Sequence, residues 1–127
     1  MKVKKLLKFY FTAERAERLI DNLICKKASS VSFTRSACDC AEEVADLVKK
    51  KAEMCAFYFY VNGVLNLFSE EERQTLKKYA FGRADACDET ELRTARRLAL
   101  KLARRLRGCS EKYSEGIAAA FDLSIIV

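Results

Sequence analysis

Apolar residues recur at intervals of three and four along most of the chain, which is the spacing of amphipathic helices. Five such segments are predicted: one after Thr12, one from near Asp39 to Phe68, one after Ser69, one from Asp88 or Thr90 to Arg107, and a short one after Ser110. We therefore predict an all-α fold, a compact bundle of four to five helices.

Several of the predicted helix ends are marked by capping residues. Thr12 is a candidate N-cap, and Ser69 with Glu72 has the spacing of a capping box, in which each side chain accepts a hydrogen bond from the backbone N–H of the other residue. Gly82 and Gly108 stand where helix C-terminal caps belong. Between the helices, residues 26–36 and 83–87 are predicted loops.

One segment, residues 56–68, carries two conflicting signals. β-forming residues flank Asn62-Gly63, the dipeptide favoured in two-residue hairpin turns. The helical spacing of apolar residues nevertheless continues through this dipeptide, so we favour a helix and keep the hairpin as the alternative. Four successive aromatic residues would cover most of the helix circumference, which predicts burial on several sides or a subunit interface. They are Phe57, Tyr58, Phe59 and Tyr60.

Two short apolar segments, residues 6–11 and 123–127, lie near the two ends of the sequence. Their composition is strand-like, and both are too apolar to be left in water. We predict that they pack against each other.

Length and composition restrict the class of protein. The chain has 127 residues, which fits a single domain over 1–127, and it contains no histidine. The absence of histidine excludes Ser-His-Asp and Cys-His catalysis and histidine zinc sites. The segment before Thr12 lacks the apolar core of a signal peptide, and no run is long enough to span a bilayer. We predict a cytoplasmic protein without membrane insertion.

The six cysteines are predicted to be reduced thiols, as is usual in the cytosol. Cys25 and Cys55 lie in or beside apolar stripes, which predicts that they are small core residues. Cys38 and Cys40 form the one close pair, a weak signal for metal or redox chemistry. We predict no metal site and no cofactor.

The positive charge is concentrated in residues 89–107. The net charge of the chain is +6, and the seven cations between positions 93 and 107, with no acid among them, account for more than all of it. The cations occupy one side of the predicted helix, and the opposite side consists of Leu92, Ala95, Leu98, Ala99, Leu102, Ala103 and Leu106. These cations are Arg93, Arg96, Arg97, Lys101, Arg104, Arg105 and Arg107. The alternative to a binding surface is a solvated face, or one neutralised by Glu70, Glu71 and Glu72.

The segment 67–79, followed by the basic helix, resembles the two ends of a sigma-factor region 4 module. In that family a basic helix reads promoter DNA, so the resemblance implies DNA binding. Only about ten residues separate Tyr79 from the basic helix, too few for the family's intervening helix and turn. No base-reading residue is therefore transferred to this chain.

Two functions of different classes follow from these patterns. The first is a non-enzymatic binding or regulatory protein whose basic helix, residues 89–107, contacts nucleic acid or another acidic partner. The second is a helical interaction or homo-oligomerisation module that uses the aromatic segment 57–68. Catalysis is not expected, because no glycine-rich phosphate loop is present and the paired acids lie at helix starts, where the helix dipole accounts for them. We predict no catalytic residue.

Overall fold

The computed structural model describes residues 3–29, 37–82 and 89–125, which are helical apart from short turns. The helices are α1 (Val3–Phe11), α2 (Ala13–Ser29), α3 (Ala37–Leu65), α4 (Glu70–Ala80), α5 (Glu89–Arg105), α6 (Cys109–Lys112) and α7 (Ser114–Ile125). The all-α class is confirmed, and no strand occurs in the described ranges. Their seven helical segments exceed the predicted four to five, because α1 was not expected and the last predicted helix is divided into α6 and α7.

The strand-like interpretation of the two terminal segments is wrong, since both are helical as far as they are described. The missed signal in α1 is the spacing of Val3, Leu6, Leu7 and Tyr10, which lie on one helix face and are buried or half-buried. Helix α1 does pack against α7, the helix that contains residues 123–125, and the Phe9 ring meets the Phe121 ring of α7 edge to face, with centroids 6.2 Å apart. Residues 126 and 127 lie outside the described ranges.

The conflict over residues 56–68 is decided in favour of the helix, which ends at Leu65. The backbone N–H of Asn66 donates to the carbonyl oxygen of Asn62 at 3.0 Å, so helical bonding passes through the Asn-Gly dipeptide. The Asn62 side chain also accepts a hydrogen bond from the Tyr10 hydroxyl at 2.6 Å. A hairpin would lose this link between α3 and α1.

Helix α3, with 29 residues, is the centre of the fold. It packs against α2 on one side and α7 on the other, whereas α4 packs against α5 and α1. One continuous hydrophobic core takes residues from every one of these helices, and α6 contributes Cys109 to it. Its largest fully buried side chains are Phe57, Leu7, Ile20, Met54, Leu65, Leu76 and Leu102.

The capping residues behave in two ways. The box at the start of α4 is confirmed: the Glu72 N–H donates to Ser69 Oγ at 3.2 Å, and the Ser69 N–H donates to Glu72 Oε1 at 2.9 Å. Gly82 and Gly108 adopt positive φ of 65° and 82° just beyond α4 and α5, the conformation that a glycine stop requires. Thr12 is not the predicted N-cap, because its hydroxyl donates back to the Lys8 carbonyl at 2.9 Å, as in a helix interior.

Two predicted boundaries shift slightly. Helix α2 continues to Ser29 and so includes the first part of the predicted loop at 26–36; the remaining residues, 30–36, lie outside the described ranges. The predicted loop at 83–87 and the candidate helix start at Asp88 also lie outside them. Helix α5 begins at Glu89, and Arg107 falls in the turn after it.

Candidate functional site

The basic side chains of α5 and of the turn after it all lie on the outside of the molecule. All seven predicted cations are exposed: Arg93, Arg96, Arg97, Lys101, Arg104, Arg105 and Arg107. The opposite side of the helix is buried through Ala95, Leu98, Ala99, Leu102 and Leu106. Because the apolar side anchors α5 in the core, the cations stand on a rigid surface. We call these seven residues the basic face.

The basic face is attached to α3 and to the turn before α4. The Tyr60 hydroxyl donates to the carbonyl oxygen of Arg105 at 3.3 Å, near the C-terminal end of α5. Lys101 Nζ lies 5.5 Å from the centre of the Phe68 ring, a cation–π distance. These contacts hold the middle and the end of the helix in place.

Little negative charge lies against the basic face. Glu89 pairs with Arg93 at 3.2 Å, on side chains that are 78% and 82% exposed, so this pair contributes little to stability. Within residues 3–29, 37–82 and 89–125, no other cation of the basic face has a carboxylate within 4 Å. The described residues therefore give little support to the alternative that Glu70, Glu71 and Glu72 neutralise the basic face.

Of these three acids, Glu72 interacts electrostatically with the basic face. The hydrogen bond from the backbone N–H of Ser69 lowers the pKa of Glu72, and the charges of Lys101 and Arg97 lower it further. Glu72 is already engaged in capping α4, and Glu70 and Glu71 are exposed. The basic face therefore keeps most of its charge.

The structure divides the four aromatic residues of the predicted interface between the core and the surface. Phe57 and Tyr58 are 0% and 6% exposed and belong to the core, so they cannot contact a partner in this fold. Tyr60 is half-buried and stacks near Tyr113, with ring centroids 5.1 Å apart. Phe59 alone points outward, at 81% exposure. Successive helical residues are rotated by about 100°, so four adjacent aromatics have to be divided between inside and outside.

A second surface, which the sequence analysis did not single out, surrounds Phe59. One side of α3 carries an unbroken row of exposed apolar residues within an arc of about 80°. We call it the outer face of α3: Ala41, Ala45, Val48, Ala52, Ala56, Phe59 and Gly63. The positions repeat every 11 residues, a period that matches an almost straight helix. Such spacing was visible in the sequence, but only burial shows that this side faces away from the core.

The four cysteines whose side chains the structure describes form no site; Cys87 and the side chain of Cys38 lie outside the described part. Cys40 and Cys109 are buried and Cys55 is half-buried, whereas Cys25 is exposed, so its predicted place in the core is wrong. Cys25 lies on the side of α2 opposite to Ala16 and Ile20, which are buried. In the described ranges, no three cysteine or acidic side chains are grouped so that they could hold a metal ion. Burial raises the pKa of the Cys109 thiol, which disfavours a reactive thiolate.

Comparisons with known proteins do not assign this site. No family model matches the chain, and no significant match was found among curated proteins or solved structures. Of the helices described, none has both the length and the hydrophobicity needed to cross a bilayer.

Proposed function

We propose that the protein acts by binding, and that the basic face of α5 binds the phosphate backbone of nucleic acid. The observation that carries the proposal is the exposure of all seven cations on one side of a helix whose other side is buried. Six of the seven are arginines, and the planar guanidinium group forms bidentate hydrogen bonds with phosphate.

The spacing of the charges favours a polyanion over a face that is merely solvated. Arg97 lies four residues from both Arg93 and Lys101. Like charges at this spacing destabilise a helix by roughly 0.2–0.5 kcal/mol per pair. A solvated surface helix gains by alternating the two signs, as Glu14 and Arg18 do on α2 at 3.7 Å. Phosphates along a nucleic acid would relieve the repulsion over the whole face.

Salt dependence tests this proposal. We expect labelled random duplex DNA or single-stranded RNA to bind at about 50 mM salt with micromolar affinity, measured by fluorescence anisotropy. If about five cations contact phosphates, the affinity should fall by two to three orders of magnitude at about 200 mM salt. No binding at the lower salt concentration would contradict the proposal.

Charge reversal locates the binding surface. The triple variant Arg97→Glu, Lys101→Glu, Arg104→Glu should abolish binding. The matched control reverses three exposed lysines elsewhere, Lys26→Glu, Lys50→Glu and Lys78→Glu, and therefore has the same net charge. We expect this control to retain most of the affinity. Equal losses in the two variants would show that net charge, and not the basic face, determines binding.

A second candidate function is self-association through the outer face of α3, and we propose a second copy of this chain as its occupant. An antiparallel pair with a two-fold axis through Ala52 would place Phe59 of one copy against Ala45 of the other. It would also place Val48 against Ala56, so each of the two large residues meets a small one. A parallel pair would instead stack Phe59 on Phe59.

The charges beside the outer face fit the same arrangement. Lys49 and Glu53 border it on one side, and a perpendicular two-fold axis brings this side against the same side of the second copy. Lys49 of one copy then lies within about 3 Å, along the helix axis, of the level of Glu53 in the other. The two opposite charges meet twice, once on each side of the axis.

Sedimentation velocity tests the self-association. We expect a concentration-dependent dimer that Phe59→Glu or Ala52→Glu converts into a monomer, because both substitutions place a charge in an apolar contact. The control is Leu67→Glu, at an apolar residue that is 65% exposed but lies outside the outer face. A wild-type protein that stays monomeric at high micromolar concentrations would exclude this candidate.

A further inference from the structure

A cavity of about 520 Å³ lies where α1, α2 and α7 meet. It is lined by Lys5, Lys8, Phe9, Thr12, Arg15, Ala16, Leu19, Phe121 and Leu123. The cavity is a cleft that is half open to the outside, and its volume lies within the range of ligand-binding clefts. Among the described residues, its lining divides into an apolar part and a cationic part and includes no acidic residue.

The apolar part is fixed by the packing of the helices. Phe9, Ala16 and Leu123 are 5–8% exposed and belong to the core, so they cannot move aside. The Phe9 ring is held against the Phe121 ring, which is itself 39% exposed toward the outside. The cavity therefore offers two aromatic rings and aliphatic side chains to an apolar ligand before any ligand binds.

The cationic part consists of Lys5 and Lys8, one turn apart on α1, and Arg15 on α2. Lys5 Nζ lies 4.7 Å from the centre of the Phe121 ring, which keeps this ammonium group over the apolar part. In the described ranges, none of the three cations has a carboxylate within 4 Å. The acid next to Arg15 in sequence, Glu14, pairs with Arg18 instead.

The polar groups at the cavity are almost entirely cationic. The Thr12 hydroxyl is engaged with the carbonyl oxygens of Lys8 and Phe9, at 2.9 and 3.2 Å. The described lining thus has a positively charged part and an apolar part. It lacks the set of hydrogen-bond donors and acceptors that would recognise a sugar or a nucleobase. A ligand that matches it carries one anionic head and one apolar body.

We propose that this cavity binds a free medium-chain carboxylic acid, with the carboxylate between Lys8 and Arg15 and the hydrocarbon chain against Phe9, Leu19 and Phe121. Arg15 forms bidentate hydrogen bonds with the carboxylate, and burial of the chain supplies most of the remaining free energy of binding. The site shares no residue with the basic face of α5 or with the outer face of α3.

Isothermal titration calorimetry with octanoate tests the proposal on the full chain. We expect a single site with a dissociation constant below about 1 mM, which is reasonable for a ligand of this size. Octylammonium has the same chain and the opposite charge, and it should bind at least tenfold more weakly. Equal binding of the two ions would overturn the proposal, because the cations would then have no role.

Variants locate the ligand. Arg15→Gln should weaken octanoate binding about tenfold, whereas Lys26→Gln, on the same helix but away from the cavity, should leave it unchanged. Octanoate could instead lie on the outer face of α3, so Phe59→Glu is a third arm, and we expect no effect from it. Loss of binding in Phe59→Glu, or equal affinities of Arg15→Gln and Lys26→Gln, would refute the assignment.

Backbone amide chemical shifts provide a measurement that does not depend on substitutions. Octanoate should shift the amide resonances of residues 8–19 and 117–123 and leave those of residues 41–63 unmoved. The wild-type protein is used, so the test does not require a variant to fold. Perturbations confined to residues 41–63, or absent throughout, would contradict the proposal.

Discussion

Tyr58 and Phe59 are neighbours in the sequence, yet the fold gives them opposite environments. Tyr58 is in the core, and its buried hydroxyl has no hydrogen-bond partner among the described residues, whereas Phe59 is exposed to water. Burial raises the pKa of Tyr58, with a smaller contribution from the charge of Glu17, so this hydroxyl stays neutral at physiological pH. A buried hydroxyl without a partner has lost its hydrogen bonds to water and gained none in return.

Removing this hydroxyl should therefore stabilise the protein. We expect Tyr58→Phe to raise the free energy of unfolding by about 1 kcal/mol, measured by urea denaturation. The matched control is Tyr10→Phe, because the Tyr10 hydroxyl donates to Asn62 Oδ1 at 2.6 Å. That substitution should lower the free energy of unfolding by about 1 kcal/mol. A loss of stability in Tyr58→Phe would mean that its hydroxyl has a partner in solution.

At the scale of the helical element, two glycines show how packing overrides propensity. Both Gly63 in α3 and Gly116 in α7 lie inside helices, where glycine is less favourable than alanine. A Cβ on Gly63 would meet nothing within 4 Å, whereas a Cβ on Gly116 would overlap the backbone carbonyl group of Glu53. Gly116 therefore lets the backbone of α7 approach the backbone of α3 more closely than any residue with a Cβ would allow.

The two glycines should respond to the same substitution with opposite signs. We expect Gly63→Ala to raise the free energy of unfolding by about 0.5–1 kcal/mol through helix propensity alone. Gly116→Ala should lower the free energy of unfolding by about 1–3 kcal/mol, because the backbones of α3 and α7 have to move apart. Thermal or urea unfolding measures both values. A stabilised Gly116→Ala variant would indicate that α3 and α7 are further apart than described.

Element boundaries could be predicted where the signal is local. The capping box at Ser69, the stops at Gly82 and Gly108 and the two sides of α5 depend on residues within one or two turns of each other. Helix α1 is not among the predicted helices, because the composition of residues 6–11 is strand-like although the spacing of the apolar residues is helical. Cys25 is exposed although a core position is predicted for it. It lies next in sequence to the apolar stripe of α2 but on another side of the helix.

At the scale of the whole molecule, the surfaces proposed for nucleic-acid binding and for self-association belong to different helices. The basic face lies on α5 and the turn after it, and the outer face belongs to α3, so the two share no residue. The triple charge reversal on α5 should abolish nucleic-acid binding and leave the sedimentation coefficient unchanged. Phe59→Glu should prevent dimer formation and leave the affinity of one protomer for nucleic acid within about threefold. Simultaneous loss of both properties in either variant would show that the two surfaces are coupled.

The sequence by itself determined the helical class, the capping box at Ser69, the glycine stops at Gly82 and Gly108 and the exposure of the basic side chains. These properties follow from hydrogen bonds, caps and a 3.6-residue period that act within a few residues. Only the tertiary structure decided that Phe57 and Tyr58 lie inside while Phe59 lies outside, that Gly116 meets Glu53, and that Lys8 and Arg15 border one cavity. These outcomes depend on how helices distant in sequence pack against each other, because a helix period shows which residues share a face and not what that face meets.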